Sequence, residues 1–293
     1  MSTQITTAFV EQYSANVQHL AQQKGSRLRS AVTVESVVGK NAFFEQIGAT
    51  AARIRTSRHS DTPRMDTPHA RRRVSLSDYD WADLIDNEDK VRMLIDPTSP
   101  YSQAAANAMG RAMDDAIISA ADGTAYTGVD GSTATSFLAA NIVDVQVGVT
   151  PAADTGLNVE KLRAAKEILD AGEIDDMDRY LALNAKQLRN LLAETEVTSS
   201  DYNAVKALVN GELNTFLGFS FIRTERIGVD TNADSKVLFW HKSGITLGVG
   251  QNPMAKISER DDKNYATQVF YSMAIGATRM EEAKVGYIEC DPT

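Results

Sequence analysis

The chain has 293 residues, 43% hydrophobic and 24% charged, which is globular usage with length enough for one large domain or two modest ones around a sizeable core. One cysteine, Cys290, excludes an intrachain disulfide framework, no segment is apolar enough to span a bilayer, and the start "MSTQITTAFVEQYSANVQHL" has no signal-peptide core, so synthesis in a cytosol and no membrane partner are expected. The net charge of −9 is uneven: residues 1–75 carry +6 and the remainder −15, which suggests a basic arm meeting an acidic surface or a polyanion, or simply a solvated face with local ion pairs.

Residues 1–50 mix weak amphipathic pieces with Gly25, Gly39 and Gly48 and read as an extended arm. "AARIRT" (51–56) and "RRRVSL" (71–76) are short alternating runs that read as strands. The polar stretch between them carries Pro63 and Pro68, so the two predict a hairpin over 51–78. Its strands hold almost no large apolar side chains, and such a hairpin is marginal unless it lies on something else. A helix is predicted over 99–121, with Ser99 as cap, Pro100 in its first turn and Gly123 beyond its end. Tyr101, Ala105, Ala108, Ala112 and Ala116 share one face, extended by Met109, Met113 and Ile117.

Residues 128–157 are rich in Gly, Ser, Thr and Ala and read as a linker with one strand-like piece, "IVDVQVGV". Asn158 then caps "VEKLRAAKEILDA", which Gly172 ends. "RYLALN" (179–184) predicts a buried strand, and Asn184 caps "AKQLRNLLAE" with Leu188, Leu191 and Leu192 as its stripe. In "NGELNTFLGFSF" (210–221), Asn210-Gly211 is a turn signal and Phe216, Leu217, Phe219 and Phe221 crowd around Gly218. A core, a ligand pocket and a subunit contact would each look like this. Strands follow around "FSFIRTERI", "KVLFWH" and "GITLGV", and "GVGQNP" (248–253) reads as a turn. A long strand, a turn and a short strand close the chain over 264–289, with Val269, Tyr271, Met273 and Ile275 on one face.

Catalytic signatures are absent from the sequence. The four histidines are scattered and Cys290 has no Cys or His at ligand spacing, so neither a metal nor a cofactor is expected. Asp114-Asp115 and Asp175-Asp176 could hold a metal or act as acid and base, but adjacent side chains diverge, and caps or ion pairs are the preferred reading. Arg71-Arg72-Arg73 lacks the interleaved aromatics of a single-strand reader, so subunit contact is preferred to nucleic acid.

The order of these pieces resembles the major capsid proteins of tailed double-stranded DNA bacteriophages, with the Hong Kong 97-like α+β fold. "DYDWADLIDNEDKVRMLIDPTSPYSQAAANAMGRAMDDAIISA" (78–120) is similar to the run from hairpin base into spine helix. "YLALNAKQLRNLL" (180–192) followed by "DYNAVKALVNGELNTFLGFSFIRTERI" (201–227) resembles the axial-domain pattern. "WHKSGITLGV" (240–249) and residues 257–289 resemble the closing strands; the likeness spans about residues 40–290.

The resemblance implies a non-enzymatic shell protein of the virion, made in the host cytoplasm, self-assembling into hexamers and pentamers around double-stranded DNA bound without sequence specificity. It implies scaffold and portal partners and, in some members, a cement or decoration protein. It also implies an N-terminal arm (1–50), an extended loop (51–78), a peripheral domain (79–157) with its spine helix, an axial domain (158–252) and return strands (253–293). Arg53, Arg55, Arg58, Arg64, Arg71, Arg72 and Arg73 would then meet acidic groups of a neighbouring subunit. Some members seal the shell with lysine–asparagine isopeptide bonds from the extended loop. This chain has no lysine from Asn41 to Asp89, so no such seal is expected. An encapsulin-like compartment shell is the alternative within the class. A metal-dependent enzyme using the acidic pairs and a basic-arm nucleic-acid binder are the alternatives outside it.

Overall fold

A computed structural model describes residues 22–55, 57–59, 61–62, 64–86, 98–148, 153–194, 215–230 and 232–292. In chain order its strands and helices are β1 (Thr33–Ser36), β2 (Asn41–Ile47), β3 (His69–Ser75), β4 (Ser77–Ile85), α1 (Thr98–Asp122), β5 (Ala125–Thr127), β6 (Thr133–Thr135) and β7 (Ile142–Val143). Then come α2 (Val159–Ala171), β8 (Arg179–Leu183), α3 (Ala185–Ala193), β9 (Thr215–Phe216), β10 (Phe219–Arg223), β11 (Ser235–His241), β12 (Ile245–Arg260), β13 (Ala266–Arg279) and β14 (Val285–Cys290). The strands form three sheets, ordered β1-β12-β13-β4, β7-β14-β11-β8-β10-β9 and β2-β3-β5-β6. The chain divides into two units. One combines Met1–Ser26, Asp78–Arg111 and Gln251–Met273; the other combines Arg27–Ser77, Ala112–Gly250 and Ala274–Thr293.

In the first unit, residues 22–26 are fastened along α1. Arg111 donates to Gln22 Oε1 at 2.8 Å, and the Gly25 amide donates to Asn107 Oδ1 at 3.2 Å. The backbones approach so closely that a Cβ on Gly110 would lie 2.3 Å from the Gly25 carbonyl carbon. The helix α1 continues past Arg111 into the second unit, and along its length the buried stripe is Ala105, Met109, Met113, Ile117 and Ala121. Ala108, Ala112 and Ala116 are only half-buried, so the helix is rotated from the expected alanine face toward its larger side chains, which have more to gain from burial.

The second unit holds the larger core. Leu162, Ala165 and Leu169 of α2 and Leu191 of α3 pack with Leu181, Leu183, Phe219, Val237, Phe239 and Ile288 of the six-stranded sheet. Both helices start where expected: Asn158 accepts from the Lys161 amide and Asn184 from the Gln187 amide, satisfying first-turn donors that have no partner within the helix. Strand β11 is buried on both faces. Val237 and Phe239 face the helices, while Trp240 donates from its indole nitrogen to Ala31 O at 2.9 Å. This explains its continuous apolar run. Phe216 and Phe219 pair across a two-residue turn, Leu217-Gly218, in which both residues have positive φ (52° and 88°). That is the hairpin geometry matching strand twist, and its phenylalanines pack on the core rather than line a pocket. Asn210-Gly211 lies outside the described residues.

Three expectations differ. Residues 51–55 form no strand. The partner of β3 is β2, antiparallel from Asn41 opposite Ser75 to Ile47 opposite His69, so the hairpin starts inside the segment read as arm. The β2 run alternates Ala42, Phe44 and Gln46 inward, whereas "AARIR" has only Ile54 to bury and leaves it 86% exposed. "GVGQNP" is no turn but the middle of the 16-residue β12. Pro253 is tolerated there because β1 pairs only with Thr246–Val249, leaving the strand open on one side beyond them. "IVDVQVGV" contributes only two strand residues, and Val143 in the middle and Leu157 at the end of the expected linker join the main core. The closing segment is the expected long strand, turn and short strand, with β13 beside β12 and β14 paired with β11 and β7.

Candidate assembly surface

The hairpin base is tied down on one face. Arg72 is 6% exposed and opposite Phe44, and its Nε donates to Met280 O at 2.9 Å. Its Nη2 meets Glu282 Oε1 at 2.6 Å, and Gln46 donates to the same Met280 carbonyl. Glu282 also faces Arg279, 3.7 Å away and fully buried, which donates to the carbonyls of Ala121 and Gly123 and lies over the Phe137 ring. Two buried guanidiniums therefore share one carboxylate. Burial pushes the Arg279 pKa down and Glu282 opposes it. Arg72 Nη1 and Arg279 Nε have no hydrogen-bond partner among the described residues.

Arg72 thus has its partners within its own chain. An inward position of the strand carries it into its own subunit, where Glu282 holds it. Arg71 and Arg73 take the opposite face. Arg71 pairs with Glu45 at 2.8 Å and lies over the Phe43 ring at 5.6 Å, and Arg73 lies over the Tyr126 ring at 4.6 Å. These two aromatic side chains were missed because they flank the arginines across strands, not along the sequence. The remaining arginines sit at the tip. Arg53 and Arg58 are exposed, Arg55 donates to Ser57 O, and Arg64 has Asp66 at 3.7 Å with both side chains above 90% exposed. An ion pair so exposed contributes little.

The acidic pairs are structural. Asp114 is fully buried and accepts the backbone amides of Arg27 and Leu28, at 3.0 and 3.2 Å. Asp115 forms a bidentate pair with Arg226. Asp176 meets Arg179 at 3.1 Å, and the Asp175 carbonyl accepts from the same guanidinium. No group of side chains suited to a metal occurs among the described residues. Burial pushes the Cys290 thiol up to about 12, far from a nucleophile's range. No described helix is long and apolar enough to cross a membrane.

The arrangement is thus an arginine-bearing loop on a tied base, beside a core with no assembled reactive cluster among the described residues. A family model described as phage capsid protein matches residues 5–292. The chain belongs to that family. The capsid structure of cyanophage P-SCSP1u is similar, with a TM-score of 0.76 at 19% identity over 100% of this chain and 96% of that one. The capsid of Ralstonia phage GP4 gives 0.75 at 10% identity over 97% and 96%, and Mycobacterium phage Che8 gives 0.71 at 14% over 96% and 97%. No curated protein matches. The fold is the α+β Hong Kong 97-like capsid fold, and this is a major capsid protein, a structural component of the virion whose copies build an icosahedral shell. Neither the compartment-shell nor the metal-enzyme reading gains support.

Proposed function

We propose that residues 48–68 are the extended loop by which each capsid subunit grips a neighbouring copy. Arg53, Arg55, Arg58 and Arg64 would be its contact side chains. One observation carries this: every described residue from 47 to 70 is exposed, apolar Ile47, Ile54 and Met65 included. A segment of that length with nothing to bury in its own subunit is expected to gain its partner on assembly. The acidic remainder of the chain, −15, gives its arginines a complementary surface.

In this reading the arm ends near Lys40, and α1 with β4, β12 and β13 forms the peripheral domain. The six-stranded sheet with α2 and α3 forms the axial domain. The shell encloses double-stranded DNA held without sequence-specific contacts. It is made in the host cytoplasm with scaffold and portal proteins, optionally with a cementing protein, and performs no catalysis. Replacing residues 50–66 by two glycines tests the loop assignment. The variant should keep the thermal midpoint of the parent subunit and yield no closed shells in negative stain. Intact shells, or an unfolded subunit, would sink it.

A further inference from the structure

The sheet β2-β3-β5-β6 is tied down on one face through Gln46 and Arg72, and its other face is covered only in part, by the β5–β6 turn, whose Gly131 packs against Arg73 and Phe43. Phe43 stands opposite Arg73, and Arg73 opposite Tyr126, so the three form one row across strands. Phe43 and Tyr126 are 38% and 39% exposed, and Ile47 and Val129 at the rim are 70% and 80% exposed. The charges on this face are unbalanced. Arg71 has Glu45, but Arg73 meets no carboxylate among the described residues, and its Nε is buried without a hydrogen-bond partner. Aromatic rings, arginines and a half-desolvated unpaired cation are the composition of a contact centre rather than of a solvated face.

Resting on the reading that copies of this chain build the shell, we propose that this face receives the loop of residues 173–178 of a second copy. That loop, "EIDDMD", has an exposed Met177 at 78% among four acids. The buried Arg179 holds it from beneath through Asp170, Asp176 and the carbonyls of Ile174 and Asp175. Glu173 and Asp175 have no cation partner among the described residues. One or both would pair with Arg73, and Met177 would pack on the exposed sides of Phe43 and Tyr126. A nucleic acid fits less well. The face carries about one uncompensated positive charge, too few for a polyanion. Arg71 and Arg73 already cover the ring faces on which bases would stack.

Two populations test this, Val129→Cys and Met177→Cys, co-assembled and mildly oxidised. Both positions are exposed and uncharged, and the native Cys290 is fully buried. The expected product is a heterodimer band at about twice 31.9 kDa, absent from either population alone and from Val38→Cys mixed with Met177→Cys. Shells that form with both thiols titratable and no heterodimer overturn the proposal, as does protection of the Val129→Cys thiol by a short single-stranded oligonucleotide. In a second arm, Arg73→Glu should lower shell yield by about tenfold, and Glu173→Arg with Asp175→Arg should restore it. A loss without rescue overturns the pairing. Shells lacking the heterodimer count against this face alone, whereas a tip deletion that assembles normally counts only against the loop.

Discussion

The six-stranded sheet and the hairpin of β2 and β3 are built from the same alphabet on opposite terms. In the sheet, β8 and β11 are covered by their own chain, and Leu181, Phe219, Val237 and Phe239 are wholly buried. In the hairpin, one face of the base is covered and the other only in part, and every described residue of the tip is exposed. The sheet is specified by what it buries within one subunit. The hairpin is specified by two anchors, Arg72 and Gln46, and, in the proposed reading, by a neighbouring copy. A capsid subunit needs both: a body that folds alone, and surfaces that stay unsatisfied until neighbours arrive.

The comparison is broken most forcefully in the sheet. Phe239 is fully buried and meets Phe219 edge-on with centroids 6.3 Å apart. Phe239→Ala should cost the subunit about 3–5 kcal/mol, from lost transfer energy and the cavity left behind. Urea titration followed by fluorescence should show the midpoint falling steeply. A loss under about 1 kcal/mol would mean that this sheet is not the subunit's stabilising core.

A smaller effect is expected at the hairpin base. Glu282→Gln leaves Arg72 and Arg279 buried without their shared carboxylate. Breaking a buried pair from one side costs about 3–5 kcal/mol, and the 22% exposure of Glu282 lowers this to about 2 kcal/mol here. Replacing both partners, Arg72→Met with Glu282→Leu, should recover part of the loss, because no charge remains buried. If Glu282→Gln is neutral in the same titration, the base is held by strand pairing alone.

The contrast also sets what the sequence could reveal. Where burial is internal, periodicity and caps were legible: α2 and α3 begin at Asn158 and Asn184, and "RYLAL" is a strand. Where a residue's partner is distant in sequence, the local pattern misled. "RRRVSL" is a strand as its alternation predicts, but the nearest strand-like run, "AARIRT", is not its mate; Asn41–Ile47 is. The run of three arginines looked uniform, yet strand alternation sends Arg72 inward to Glu282 and leaves Arg71 and Arg73 outside on aromatic rings. No local signal names Glu282, 210 residues away. Pro253 misled in another way, since it forbids a strand only where both edges are paired.

The last prediction concerns what holds the hairpin once its neighbours are in place, and the expected effect is no effect. The loop and its flanks, from Asn41 to Asp89, contain no lysine, and the nearest on each side are Lys40 and Lys90. An isopeptide bond from this loop would need an amine that can lose its proton and attack a side-chain amide. The seven arginines there cannot serve, because a guanidinium stays protonated and is a poor nucleophile. In the proposed loop reading the hairpin is then held by charge pairs and apolar contacts, each weak alone and summed over a closed shell. Boiled, reduced particles should run on denaturing electrophoresis as one band near 31.9 kDa, and intact shells should weaken as salt rises, because exposed arginine contacts are screened within about 10 Å at 0.1 M. A ladder that survives boiling and reduction would place a covalent bond between subunits. It would move the hairpin from the class of surfaces completed by weak contacts to that of surfaces sealed by chemistry, with Lys40 the first residue to replace.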